Sequence, residues 1–139
     1  GAPHWVSDIR GSIHGLQRDS SRKDLITAVF KAICFQTLEI IDALEQDGVA
    51  VNALKVDGGM VKNNKFLQLL SNILSTDIQK PDQIESTAVG AFKIALLGSG
   101  IKKLNEISEI GEYKKVHTQP SSKLADEYDT WKGFLTKNL

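Results

Sequence analysis

Only one cysteine, Cys34, occurs in the 139 residues, so no internal disulfide framework can hold this chain together. A reducing compartment, the cytoplasm, is therefore the expected setting. Cys34 sits within a helical apolar pattern and reads as a small buried apolar side chain rather than a reactive thiol. Charge of one sign is missing too. Lysine plus arginine equals aspartate plus glutamate at 17 each, which leaves no basic field to hold nucleic acid and no acidic tail. No apolar run approaches the roughly 18 residues of a membrane span. The three histidines, His4, His14 and His117, lie far apart without metal-ligand spacing. No serine or threonine stands in a nucleophile motif. With no initial methionine and no signal-peptide pattern, the sequence is expected to have been processed or cut from something longer.

What is present suits one domain or a piece of one, with 41% apolar residues. The first 18 residues read as a glycine-rich loop leading into a short strand over residues 11–16. Asp19, Ser20 and Ser21 offer N-cap oxygens to a long helix, Arg22–Gln46, closed by Asp47-Gly48. Its main stripe is Leu25, Ala28, Val29, Ala32, Ile33, Gln36, Ile40 and Leu44. Phe30, Phe35 and Ile41 lie beside it, so the helix is expected to pack on more than one side. A strand over residues 53–56 and a helix over 63–75 follow. Residues 77–80, stopped by Pro81, read as an edge strand. A helix over 86–97 is rich in small residues, and Gly90 within it costs about 1 kcal/mol relative to alanine. That cost points to close backbone contact. Residues 101–110 read as a weak helical turn or two, 112–122 as a solvated loop, and 124–135 as a surface helix with Tyr128, Trp131, Phe134 and Leu135 on its apolar side. Trp5 and Trp131 read as core or interface anchors.

Strands alternating with helices define an α/β class. With only three or four strands, the sheet is too small for helices this long, so one helix face should be covered by something else.

The most informative stretch is Val56-Asp57-Gly58-Gly59-Met60-Val61-Lys62-Asn63-Asn64. A β-prone run ends in an acid and two glycines, and an Asn-rich stretch opens the next helix. Such a turn can bring backbone amides close to a phosphate or a nucleotide ring, because glycine has no Cβ to block the approach. It also has a plain reading as a strand-to-helix turn, with Asn63 as a helix cap. Its spacing matches neither the P-loop nor the Rossmann fingerprint.

Four stretches, in order, resemble one family. Gly1-Ala2-Pro3-His4-Trp5 is similar to the Gly-Ala-Pro-Tyr-Trp segment of glycerol kinases. Gly11-Ser12-Ile13-His14-Gly15-Leu16 together with Asp24-Leu25-Ile26-Thr27-Ala28-Val29-Phe30 resembles the second signature of the FGGY carbohydrate kinases. The Val56–Asn64 stretch resembles that family's adenosine-binding turn. Ser86-Thr87-Ala88-Val89-Gly90-Ala91 resembles its Thr-Ala-Leu-Gly-Ala-Ala helix. There are two departures: Lys31 stands where members usually carry an acid or Gln, and Val6 where many glycerol kinases carry Asp.

The resemblance implies the later part of the second ribonuclease-H-like domain of the actin–hexokinase superfamily, a small sheet packed with long helices. It implies an incomplete ATP-binding lobe, without that domain's opening strands and without the N-terminal domain that binds glycerol and supplies the aspartate base. The implied activity is magnesium-dependent transfer of the ATP γ-phosphoryl group to glycerol, with the fragment inactive alone and catalytic residues absent from it. Gly59 and Asn63 fall on the family's ATP-contacting positions, with Gly58 supporting the turn. Asp57 is expected to be structural or outer-shell rather than a base or metal ligand. Gly90 and Ala91 are expected to let their helix sit against the turn. No protein-held metal site is expected. Family members often form dimers or tetramers. The alternatives are a kinase for another sugar or polyol, such as xylulose or gluconate, and a stand-alone remnant acting as an interaction module.

Overall fold

The computed structural model describes residues 2–82, 85–107 and 113–137. Gly1 of the first motif, and residues 108–110 and 112 of the elements expected there, lie outside these. The first helix, α1 (Arg22–Gln46), has the bounds expected from its pattern. Ser21 and Asp24 start it with a capping box: the Ser21 amide donates to the Asp24 carboxylate at 2.9 Å, and the Asp24 amide to the Ser21 hydroxyl at 3.4 Å. The Ser21 hydroxyl also donates to the Asp24 carboxylate at 2.6 Å, and this bond, followed by that of the Ser21 amide, lowers the Asp24 pKa. At the other end Gly48 takes φ +84°, and Val49 and Gly48 donate back to the carbonyls of Leu44 and Glu45. Those two bonds form a Schellman stop, which needs a residue comfortable at positive φ.

β1 (Leu54–Lys55) follows, then a 3-10 turn over Gly59–Lys62, α2 (Asn64–Leu74) and β2 (Ile78–Pro81). The chain continues through α3 (Ser86–Gly98), α4 (Leu104–Ile107), β3 (Tyr113–Val116) and α5 (Ser122–Thr136). The three strands form one sheet in the order β1-β2-β3. β1 runs parallel to β2 with Leu54 beside Ile78, and β3 runs antiparallel to β2 with Val116 beside Ile78. The class is α/β, as expected.

Four expectations are corrected. β2 is the central strand, not an edge; Pro81 ends the strand, so its missing N–H removes nothing from the middle of the ladder. The supposed loop over 112–122 contains β3, whose Lys114 and Lys115 disguise it. Residues 11–16 form no strand, because no described strand lies beside them to supply a ladder. Trp5 does not anchor this chain's core, being 77% exposed.

The core lies where α1, α2, β2 and α5 meet. Leu67, Ile78, Cys34 and Ser71 are wholly buried, with Phe35, Phe66, Leu70, Ile73, Leu74, Val61 and Tyr128 around them. Burying a leucine such as Leu67 stabilises by about 1.5–3 kcal/mol. Phe35 meets Tyr128 at 5.6 Å and Trp131 at 5.8 Å between ring centroids, so the aromatic side of α5 docks on α1. The Tyr128 hydroxyl donates to Asp42 at 2.7 Å. Burial and that neighbouring carboxylate both push its pKa up, burial most. Burial also pushes the Cys34 thiol up to about 12, so it stays protonated and inert.

The segment after β3 is clasped to α2. Gln68 donates to the His117 carbonyl, Thr118 to the Ser71 carbonyl, and the Gln119 amide to Asn72, all within 2.9 Å. Asp77 receives the Thr118 amide at 2.9 Å, Lys115 at 3.0 Å and the His117 ring at 3.2 Å. The Thr118 amide, followed by Lys115, holds the Asp77 carboxyl down at about 2.

Candidate functional site

The turn expected to face a nucleotide is built by the ladder below it and the helix beyond it. The Val56 amide donates to the Gln79 carbonyl at 3.0 Å, the last bond joining this segment to β2. The chain then leaves the sheet at Asp57. Gly58 has φ +98° and ψ −179°, a conformation that L side chains rarely adopt. That residue reverses the chain into the 3-10 turn, closed by Val61 donating to Gly58 at 3.2 Å and Asn63 to Met60 at 3.0 Å. Val61 points inward and is buried, which pins the turn to the core. Asp57, Gly58, Gly59 and Met60 are exposed. A Cβ placed on Gly58 or Gly59 would meet nothing within 4 Å. The two glycines therefore leave open space over the backbone.

Asn63 is the N-cap of α2. Its Oδ1 accepts from the amides of Lys65 at 3.1 Å and Phe66 at 3.2 Å. That oxygen is committed to the helix, so any ligand contact by Asn63 falls to its Nδ2, a donor. The capping oxygen and a ligand-facing amide group are compatible in one side chain. Beside it, Lys80 at the end of β2 donates to the Asn64 Oδ1 at 2.9 Å. This contact puts an ammonium at the end of α2 where the helix dipole is positive. Nothing local in the sequence marks Lys80; it is the parallel register of β1 and β2 that brings the end of β2 level with the turn.

Gly90 and Ala91 sit apart from this arrangement in what surrounds them. Gly90 is half-buried, Ala91 is exposed, and a Cβ on Gly90 would meet nothing within 4 Å outside its own helix and chain neighbours. The close backbone contact expected at Gly90 is not made in this chain. α3 has no buried residue.

The two departures have structural settings. Lys31 forms an ion pair with Glu127 of α5 at 2.5 Å, both about a quarter exposed, so a cation there is matched across the helix interface. Val6 lines a small pocket of about 80 Å³ next to His4, whose ring nitrogen bonds Glu39 at 2.8 Å. Neither lies at the glycine turn.

Residues 1–99 match the FGGY family of carbohydrate kinases, C-terminal domain. The chain belongs to that family. Its relatives include Glycerol kinase 1 of Pseudomonas aeruginosa, 36% identical over 127 residues, which cover 91% of this chain and 25% of that protein. Among solved structures, Plasmodium falciparum glycerol kinase with ADP is similar with a TM-score of 0.83 and 31% identity, over 99% of this chain and 28% of that one. A ligand-bound xylulose kinase from Lactobacillus acidophilus is similar with a TM-score of 0.73 and 28% identity, over 93% of this chain and 26% of that one. The fold is thus the actin-like kinase fold, and the chain spans about a quarter of the length of these relatives. No helix among the described residues is long and apolar enough to cross a membrane.

Proposed function

We propose that this chain is the C-terminal, ATP-binding part of a glycerol kinase, which transfers the γ-phosphoryl group of ATP to glycerol to give sn-glycerol 3-phosphate. The observation that carries this reading is the open Gly58-Gly59 turn, braced by the Asn63 cap, in a chain of this kinase family. Support for nucleotide use comes from the similar glycerol kinase solved with ADP. Support for glycerol over another sugar or polyol comes from the glycerol kinase relatives and from the closer structural likeness, 0.83 against 0.73 for the xylulose kinase.

In this reading Gly58 and Gly59 let the adenosine lie against the backbone, and the Asn63 Nδ2 donates to it. Asp57, exposed at the foot of the turn, has a structural or outer role. Phosphoryl transfer is mostly positioning and charge stabilisation by groups on both sides of the nucleotide. This chain supplies one wall; glycerol and the general base belong to the other domain of such kinases. Among the described residues no group of three or more His, Cys, Asp or Glu could hold a metal. In this reading the magnesium ion arrives with the nucleotide phosphates, as is usual for an ion that takes only one or two carboxylates from a protein. Inert, buried Cys34 suits a reducing cytoplasm.

An amide-resolved NMR titration with Mg-ADP and Mg-ATP tests the reading. Saturable shifts centred on Gly58, Gly59 and Asn63 are expected. A folded chain without shifts at millimolar nucleotide would remove the claim that this wall is preformed. Mixed with glycerol and Mg-ATP, the isolated chain should produce no glycerol 3-phosphate above the blank.

A further inference from the structure

Asn64 follows Asn63 in the chain, and each of these side chains has one end already fixed. The Asn63 Oδ1 accepts from the backbone amides of Lys65 and Phe66. The Asn64 Oδ1 accepts from the Lys80 ammonium at 2.9 Å. Backbone amides and ammoniums only donate, so the asparagine atom turned toward each of them is the oxygen. Each asparagine therefore leaves its amino group open. Neither Nδ2 has a hydrogen-bond partner among the described residues, and both residues are exposed.

The sheet sets Lys80 up for its contact. Side chains alternate along a strand, so Lys80 shares the face of Ile78, which is wholly buried in the core that α2 joins. From that face Lys80, half-buried, reaches the first residue of α2. Among the described residues no carboxylate lies within ion-pair distance of it. A lysine kept for charge balance would meet an acid, as Lys31 meets Glu127. Lys80 instead holds a neutral amide and decides which end of it faces outward.

We infer that Asn64, oriented by Lys80, is a second donor to the nucleoside part of the bound nucleotide, beside Asn63, an inference that rests on the function proposed above. Two adjacent amino groups, with both side-chain oxygens occupied, suit a partner rich in acceptors. Adenosine is one, because its purine ring nitrogens and ribose oxygens accept. A free asparagine can present either end; the ammonium removes that choice before the ligand arrives. Lys80 is thus a positioning residue that acts through Asn64.

The test is an amide-resolved NMR titration of the chain with adenosine, whose lack of charge keeps phosphate electrostatics out of the comparison. Asn64→Ala should weaken adenosine binding about fivefold, the worth of one hydrogen bond. Asn64→Asp keeps an oxygen for Lys80 and loses the donor. It should bind as weakly as Asn64→Ala, with a thermal midpoint no lower than that of the wild type. Lys80→Met keeps the stem and removes the ammonium, so it should weaken binding by a smaller factor, and Lys80→Arg should restore it. Added to Asn64→Ala, Lys80→Met should cause no further loss. Unchanged affinity in Asn64→Ala overturns the inference. So does recovery in Asn64→Asp, which would reduce the Lys80 contact to a brace between β2 and α2. A further loss in the double variant would make Lys80 a direct contact and overturn its positioning role. Wild-type shifts with Mg-ADP but none with adenosine would move the contact to the phosphates and overturn it too. The two readings fail separately. A wild-type chain without saturable shifts for either ligand removes the preformed wall and this inference with it, whereas variants that keep wild-type affinity remove this inference alone.

Discussion

The helices α2 and α3 have similar lengths, 11 and 13 residues, and stand on either side of β2 in the sequence, but they are held quite differently. α2 starts from an asparagine cap with two side-chain bonds and buries six residues. α3 starts after Glu85 with no side-chain cap bond and buries none. Their patterns explain this. In α2, Phe66, Leu67, Leu70, Ile73 and Leu74 fall on one side, and that side meets the sheet and α1. In α3, Ala88, Val89, Ala91, Phe92, Ile94, Ala95, Leu96 and Leu97 leave little polar face. A helix apolar nearly all round is suited to being surrounded. α2 is complete within this chain, whereas α3 has the composition of a core helix without a core around it.

That contrast can be broken by measurement. Leu67→Ala in α2 should cost about 2–5 kcal/mol in urea unfolding, because it empties a wholly buried site. At the entrance to α2, Gly58→Ala should cost about 1–2 kcal/mol through its positive φ, while Gly59→Ala, with free space and no such φ, should change stability little. Asn63→Ala should cost about 1 kcal/mol through the lost cap. Asn63→Asp should restore stability but not nucleotide shifts, since it keeps the capping oxygen and loses the donor. Asp77→Asn, at the exit of α2, should destabilise modestly at neutral pH. The folded Asp77 pKa, about 2, lies below the ordinary value, so its contribution is complete above roughly pH 4 and is lost as pH falls toward 2. The difference between wild type and Asp77→Asn should therefore vanish near pH 2 in acid unfolding curves. Phe92→Ala in α3 should stay within about 0.5 kcal/mol, because that ring is already 56% exposed. A cost as large as that of Leu67→Ala would show α3 to be packed and end the comparison.

Local signals carried most of the fold. The Ser21 cap and the 3.6-residue period fixed α1 to the residue, and Gly58, Asn63 and the apolar side of α2 marked the turn and its helix. Long-range pairing was not legible. Whether a four-residue run is central or at the edge depends on its neighbours, so Pro81 misled for β2 and the lysines hid β3. The α1 stripe shows the limit of periodicity in another way: it marks which face a sequence suits for burial, but not what covers that face. For the site, the glycines and Asn63 were visible, but the commitment of the Asn63 oxygen to capping and the arrival of Lys80 depended on three-dimensional placement.

The clasp over His117–Gln119 has a consequence for what counts as one unit. The family match ends at residue 99, yet the strand that completes the ladder of β2, the bonds to Ser71 and Asn72, and the Tyr128 ring against Phe35 all come from beyond it. The matched family domain and the packed unit thus have different boundaries in this molecule, while the likeness to whole kinases runs on past residue 99. Cut at residue 99, the chain would keep every residue of the glycine turn but lose one of the three described strands of its sheet and one wall of its core. The second half of the helix that leaves that turn is therefore tied down by residues some fifty positions further along.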